Sequence, residues 1–128
     1  MNKLAQRISD SELEVMRVFW SLNQSMTLAE IRKILVVNCE WDDSTIKTLL
    51  RRLHNKGVLK QEKKDVYYYT PLVSKDEYEE YTTQKLINKL YQGSAKNLIL
   101  SLVSSNKLSQ EDIIELHNMF KVGEKLEE

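Results

Sequence analysis

The sequence predicts a mainly helical protein that contains one β-hairpin, and three observations lead to this fold class. A pattern that begins helices occurs four times in the 128 residues: a hydroxyl residue is followed three positions later by an acidic one, with an apolar residue directly before and directly after this stretch. Only residues 58–70 combine strand-forming valine, tyrosine and threonine around a charged centre. The chain has three glycines and one proline, so little of it suits irregular loops.

Each of the four helix starts is a capping box, in which a hydroxyl and a carboxylate bond each other's backbone N–H groups. The first pairs Ser9 with Glu12, and the apolar residues Ile8 and Leu13 flank it as a hydrophobic staple. The other three pairs are Thr27 with Glu30, Ser74 with Glu77, and Ser109 with Asp112. Helices are therefore predicted to begin near residues 10, 28, 75 and 110.

Two further helices are predicted from apolar spacing. One begins near Asp43 or Ser44 and ends before Gly57, since glycine readily adopts the left-handed conformation that terminates helices. Its apolar residues recur three and four positions apart, on one face: Ile46, Leu49, Leu50 and Leu53. The other helix runs from Ser94 to about Ser105, after Gly93.

The hairpin is predicted from residues 58–62 and 66–70, joined by the charged residues 63–65. Pro71 ends its second strand, because proline has no N–H to donate. Three helices, a hairpin and three more helices is the order of a winged helix-turn-helix followed by a helical region. We expect a DNA-binding domain at residues 1–73, with Trp20 and Trp41 in its core, and a helical dimerisation domain at residues 74–128.

The formal net charge is zero, but the charges are unevenly distributed. Residues 1–73 carry 12 Lys and Arg against 9 Asp and Glu, whereas residues 74–128 carry 7 against 10. Within the first part, residues 44–64 hold seven basic residues and one acidic residue. Such a block suits a polyanion, although a solvated helix face with a lysine-rich hairpin tip would have the same charge.

The third helix is the one that enters a major groove in a winged helix-turn-helix. Its polar face carries the side chains that reach phosphates and base edges. The predicted DNA-binding residues are Ser44, Thr45, Lys47, Thr48, Arg51, Arg52 and Asn55 of the helix, with Lys63 and Lys64 of the hairpin tip. We expect Thr45 and Thr48 to lie nearest the bases, and Ser44, Thr48, Arg51, Arg52 and Asn55 to lie broadly together.

The last three helices carry more apolar surface than one chain's helices would cover, which predicts an oligomer interface. The predicted interface residues are Tyr81, Leu86, Leu90, Leu98, Leu102, Ile113, Leu116 and Phe120. The alternative is that these residues form the helical core of a monomer.

Composition excludes several functional classes. One cysteine, Cys39, and two histidines leave no multi-cysteine metal site and make a zinc site improbable, so no metal or cofactor is expected. No nucleophile motif and no carboxylate pair in a pocket-like context point to an enzyme. No apolar run approaches a membrane span or a signal peptide, so we expect a cytoplasmic protein without membrane insertion. A helical adaptor with an acidic partner is the alternative to a DNA-binding protein.

Residues 8 to about 120 resemble the penicillinase-repressor family, which includes the β-lactamase, methicillin-resistance and copper-responsive repressors. The resemblance rests on residues 8–16, Trp20, Trp41, residues 44–53, Lys56-Gly57 and residues 67–69, 87–91 and 108–113. It implies a homodimeric repressor that binds a palindromic operator of double-stranded DNA, in which the C-terminal helices of two chains entwine. The family's recognition-helix contacts fall here on Ser44, Thr45, Lys47, Thr48 and Arg52.

The resemblance also implies how repression is relieved. In the β-lactam branch, a membrane sensor-protease pathway leads to cleavage of an Asn-Phe bond in the fifth helix, where this sequence has Ser101-Leu102. In the copper branch, a cysteine-pair tail follows the dimer helices, whereas residues 121–128 contain no cysteine. We therefore expect a repressor of β-lactam-resistance genes; a copper-type or other stress-responsive repressor of the same fold is the alternative.

Overall fold

The structure is a computed structural model that describes the backbone of residues 3–127 and the side chains of residues 3–121. A short 3₁₀ helix, Lys3–Arg7, is followed by α1 (Asp10–Leu22), β1 (Met26–Thr27), α2 (Leu28–Cys39), α3 (Asp43–Asn55), β2 (Leu59–Lys63), β3 (Tyr67–Pro71), α4 (Lys75–Tyr91), α5 (Ala95–Ser104) and α6 (Gln110–Glu127). The predicted class, three helices and a hairpin wing followed by three helices, is confirmed. No helix in the described part of the chain is long and apolar enough to cross a bilayer.

All four predicted capping boxes are present, which explains why the helices begin where the sequence places them. At the start of α1, the backbone N–H of Glu12 donates to Ser9 Oγ at 3.3 Å, and that of Ser9 donates to Glu12 Oε1 at 2.9 Å. The same reciprocal bonds join Thr27 with Glu30, Ser74 with Glu77, and Ser109 with Asp112. Each box satisfies N–H groups that have no partner within the helix.

The wing is part of a three-stranded antiparallel sheet in the order β1-β3-β2. Leu59 pairs with Pro71 and Lys63 with Tyr67, so each wing strand begins one residue later than predicted. The first wing strand starts later because Val58 takes part in the turn that ends α3: its backbone N–H donates to the carbonyl of Leu53 at 2.9 Å. The third strand, β1, was not predicted, because two residues are too few to show an alternating pattern.

The hydrophobic core lies in the compact unit Met1–Thr83, between α1, α2, α3 and the sheet. Phe19, Met16, Ile31 and Leu50 are among its largest fully buried side chains. Trp20 and Trp41 pack at its edge and are half-buried, so they border the core that they were predicted to join.

The beginning of α4 belongs to this first unit. The indole N–H of Trp20 donates to the carbonyl of Val73 at 2.9 Å, and the ring lies 5.6 Å from that of Tyr78. Tyr81 also packs against the core, and its hydroxyl donates to Gln6 Oε1 at 3.2 Å. The predicted interface residue Tyr81 therefore contacts the first unit of its own chain.

The side chains described in the second compact unit, Gln84–Glu128, form almost no core of their own. Among its described side chains only Ile87 is buried, and α5 buries none. Leu90 is 59% exposed and Phe120 is 64% exposed. The units divide inside α4, whereas the predicted division at residue 73 concerns function and stays a prediction. Met1, Asn2 and Glu128, which the predicted domains include, lie outside the described residues.

Candidate nucleic-acid interface

Helix α3 has one buried face and one exposed polar face. Ile46, Leu49, Leu50 and Leu53 are buried as the apolar spacing predicts. On the other side, Ser44, Lys47, Arg51, Arg52 and Asn55 are exposed, and Thr45 and Thr48 are half-buried. The structure thus presents every predicted DNA-binding residue of α3 at the surface.

The N-terminal end of α3 is fixed by its cap and by an ion pair to α2. Asp42 Oδ1 accepts the backbone N–H of Thr45 at 2.9 Å and the hydroxyl of Ser44 at 3.0 Å. These hydrogen bonds hold the pKa of Asp42 below its ordinary value. Arg32 of α2 contacts the carboxylate of Asp43 at 2.8 Å, which compensates that charge and ties the two helices together.

The C-terminal end of α3 is fixed to α1 through a buried carboxylate. Lys56 Nζ lies 2.7 and 2.9 Å from the two carboxylate oxygens of Glu12, which is 1% exposed. Burial raises the pKa of Glu12, but hydrogen bonds from Lys56 and Ser9 and the charge of Lys56 outweigh burial, so the net pKa is lowered. Arg7 Nη1 adds a 2.9 Å bond to the carbonyl of Lys56.

We expect Lys56→Met to lower the free energy of unfolding by about 3 kcal/mol, because it leaves the Glu12 carboxylate buried without its cation. The value is at the lower end for a broken buried ion pair, since Lys56 is itself 36% exposed. Urea denaturation of the full chain measures it. The matched control is Arg17→Met, which removes an exposed ion pair with Glu14 and should change stability by less than about 0.5 kcal/mol. Equal losses in the two variants would contradict a structural role for the buried pair.

The same pair predicts a pH dependence. The folded pKa of Glu12 lies below its ordinary value of 4.5, so its stabilisation is present above pH 4.5 and lost as the pH falls through the folded pKa. In Lys56→Met, the hydrogen bond and the charge of Lys56 no longer lower that pKa, so ionised Glu12 stabilises the fold less at neutral pH. The difference in unfolding free energy between wild type and Lys56→Met should therefore be largest at neutral pH. It should decrease as the pH is lowered to 4.5 and below. A constant difference would contradict the assignment.

Two concave notches flank the exposed face of α3. The first, the α1-side notch, has a volume of about 340 Å³ and lies between the beginning of α1 and α3. It is lined by Ser9, Ser11 and Trp41 on one side and by Ser44, Thr45, Thr48, Leu49 and Arg52 of α3 on the other. The second, the wing-side notch, has a volume of about 300 Å³ and is lined by Leu28, Lys47, Leu50, Arg51, His54, Gln61 and Tyr69.

The notches separate residues that the sequence analysis placed together. Ser44, Thr48 and Arg52 line the α1-side notch, whereas Arg51 lines the wing-side notch with Lys47. The five residues nevertheless span about 100° of the helix and lie on one broad face, whose two edges border different notches. A helix turns by about 100° per residue, so adjacent residues such as Arg51 and Arg52 point to different sides. Asn55, the last residue of α3, is exposed but lines neither notch.

The wing tip carries the two predicted lysines at its surface. The backbone N–H of Lys64 donates to the carbonyl of Val66 at 3.0 Å and closes the turn. Lys63 Nζ lies 5.8 Å from the ring centroid of Tyr67, and Lys64 Nζ lies 5.3 Å from that of Tyr68. Cation–π attraction thus holds both ammonium groups against the rings of the neighbouring strand.

Several lining residues were not predicted as site residues. Ser9, Ser11 and Trp41 come from outside α3, and His54, Gln61 and Tyr69 join the basic side chains of the wing-side notch. Ser9 and Ser11 lie more than thirty positions before α3, so only the folded structure brings them to it. No acidic side chain lines either notch. Both notches are therefore suited to an anionic ligand.

The family model described as penicillinase repressor matches residues 8–121. The chain belongs to the penicillinase repressor family. Its curated relatives include the penicillinase repressor of Bacillus licheniformis, 36% identical with 94% of each chain covered. They also include the methicillin resistance regulatory protein MecI of Mammaliicoccus sciuri, 32% identical with 93% of this chain and 97% of the relative covered.

Two solved structures are similar to part of this family member. The solution structure of the DNA-binding domain of the repressor BlaI has a TM-score of 0.52 at 42% identity, with 61% of this chain and 94% of that chain covered. The monomeric Bacillus licheniformis BlaI in complex with the blaP half-operator has a TM-score of 0.50 at 40% identity, with 56% and 87% covered. The family consists of DNA-binding repressors of transcription and not of enzymes, as the sequence predicted.

Proposed function

We propose that this penicillinase repressor family member acts in the cytoplasm as a homodimeric repressor that binds a palindromic operator at β-lactam-resistance genes. The observation that carries the proposal is α3: its exposed face is rich in hydroxyl and basic side chains, and both its ends are anchored. The notches on either side hold basic side chains without acidic ones. Its relative BlaI, 40% identical over the shared region, was solved in complex with half an operator.

The second unit supports assembly of two chains. Of the predicted interface residues in this unit, Leu86, Leu90, Ile113 and Phe120 are exposed, and Leu98, Leu102 and Leu116 are half-buried. A helical unit that buries one apolar side chain among its described residues gains stability when a second copy covers the exposed ones. A symmetric dimer would present two copies of α3 to the two halves of a palindrome.

We further propose that a membrane sensor-protease pathway relieves repression by cleavage between Ser101 and Leu102. Both residues are half-buried within α5, so a protease would act on a locally opened helix. Cleavage would separate Leu102 and α6 from the DNA-binding part and dissociate the dimer. Mass spectrometry of the chain from β-lactam-treated cells should find a fragment ending at Ser101. An intact chain alongside full derepression would exclude this cleavage as the signal.

Selection from a pool of duplexes with a randomised central segment tests the proposed function without an assumed operator. We expect the full chain to enrich a palindromic duplex and to bind it at least about 10³-fold more tightly than random duplex. Affinity should fall steeply with salt, because several lysines and arginines displace counterions from the phosphates. Failure to enrich any duplex would contradict the proposal and favour the adaptor alternative.

A further inference from the structure

We propose that the indole N–H of Trp41 and the hydroxyl of Ser11 bind a backbone phosphate of the DNA that α3 contacts. These residues would act as positioning residues that set the depth and register of α3 in the groove. The inference rests on the proposed function, because it names a second set of contacts to the same ligand. It assigns a binding role to two residues outside α3, one of them predicted only as a core residue.

Trp41 differs from the other tryptophan in what its N–H does. The indole N–H of Trp20 donates to the carbonyl of Val73. Among the described residues, no hydrogen bond uses the indole N–H of Trp41. No buried side-chain polar atom in that part of the chain lacks a partner, so this N–H faces solvent. The ring packs against the core while its donor remains available, an arrangement typical of an aromatic residue at an interface.

The chemistry of the α1-side notch suits a phosphate. Its lining residues are Trp41, Leu49, Arg52 and five serines and threonines, and none of them is acidic. The hydroxyl of Ser11 is exposed and makes no hydrogen bond within the described residues. Ser11, Trp41 and Arg52 all line this notch, so together they would offer a phosphodiester two neutral donors and one positive charge.

The position of the notch selects a backbone phosphate over a base edge. The major groove is about 12 Å wide and a helix with its side chains is about 10–12 Å across, so a helix in the groove has a phosphate backbone directly on each side. Trp41 and Ser11 line the same notch as Thr45 and Thr48, the two residues expected nearest the bases. Phosphate contacts of this kind fix how a recognition helix sits and carry no sequence information themselves.

A coupling experiment tests the proposal on the full chain with the duplex that the chain selects. Single phosphates of one half-site are replaced in turn by neutral methylphosphonates, and affinities are measured by fluorescence anisotropy for wild type and for Trp41→Phe. Phenylalanine keeps an aromatic ring and removes the N–H. We expect Trp41→Phe to weaken binding to selected and random duplex alike by about tenfold, with an unchanged salt slope, because the lost donor is neutral. At one position the methylphosphonate should weaken wild type but not the variant.

A second variant, Ser11→Ala, tests the same phosphate contact without changing the packing of the Trp41 ring. Ser11→Ala removes only a surface hydroxyl and should couple to the same methylphosphonate position as Trp41→Phe. The absence of coupling at every position for both variants, with wild type still binding the duplex, would overturn the inference and leave the proposed function intact. If no duplex is bound by wild type, the proposed function fails and the inference fails with it.

Tryptophan fluorescence supplies a direct readout of the notch. In Trp20→Phe, Trp41 is the only tryptophan, and saturating duplex should protect its emission from acrylamide quenching. In Trp41→Phe, the remaining Trp20 lies outside the notch, and its quenching should not change. Equal quenching of Trp41 with and without bound duplex would place the DNA away from the notch and contradict the proposal.

Discussion

A chain that ends at Thr83 should remain folded, become monomeric and bind the full palindrome about 10²–10⁴-fold more weakly than the complete chain. The loss is expected because two linked half-site contacts benefit from effective concentration, and a monomer has only one. The fragment ends at Thr83 because the first compact unit includes Val73, Tyr78 and Tyr81. An end at Pro71 would remove these core contacts. Sedimentation measures the oligomeric state. The affinity of the fragment for a single half-site should equal the affinity of one DNA-binding unit of the dimer for that half-site.

Point variants of the complete chain show whether the dimer is lost because the interface is broken or because the residues after Thr83 are removed. Leu90→Asp places a charge on the exposed face of α4 and should give a monomer with the affinity of the fragment. The matched control is Val37→Asp in α2, where the apolar side chain is 77% exposed and outside the second unit. This control should leave the dimer unchanged. A fragment that still sediments as a dimer would show that the interface lies in the first unit.

Thr48→Ala and Arg52→Ala should weaken operator binding in different ways. We place Thr48 at a base edge, so its loss should cost about 1–3 kcal/mol on the selected duplex and little on random duplex. We place Arg52 at a phosphate, so its loss should weaken binding to every duplex and lower the salt slope by about one. Anisotropy titrations at several salt concentrations with both duplexes measure the two effects.

The matched control for Arg52→Ala is Arg17→Ala. Arg17 is an exposed arginine of α1 that lines neither notch, so its loss should leave the salt slope unchanged. If the salt slope changed in both Arg52→Ala and Arg17→Ala, the slope would depend on the net charge of the chain and not on a contact of Arg52 with the DNA. Unchanged affinity in both Thr48→Ala and Arg52→Ala would indicate that α3 does not lie in the groove.

The elements of the fold were predictable because their signals are local. A capping box spans four residues and satisfies the same N–H groups in any context, so all four boxes mark real helix starts. The buried face of α3 was predictable because apolar side chains three and four positions apart must share a face. The short strand β1 has no such signal: its pairing of Met26 with Tyr69 depends on a residue distant in sequence.

The site was only partly predictable for a related reason. The residue types of α3 indicate what it binds, but the division into two notches depends on which element packs on each side of the helix. Ser9 and Ser11 reach α3 through tertiary packing, which no spacing in the sequence encodes. Apolar spacing likewise could not distinguish Tyr81, which packs on the core of its own chain, from exposed residues such as Leu90.

Protection of guanine N7 from methylation by dimethyl sulfate tests the central proposal, that α3 lies in the major groove, most directly. Guanine N7 is exposed only in the major groove, which is where α3 is proposed to lie. We predict that the complete chain protects guanines symmetrically in both half-sites, separated by a whole number of helical turns, and that Arg52→Ala and Thr48→Ala weaken this protection. Full occupancy of the duplex with every guanine N7 still methylated would place the chain outside the major groove and contradict the proposed role of α3.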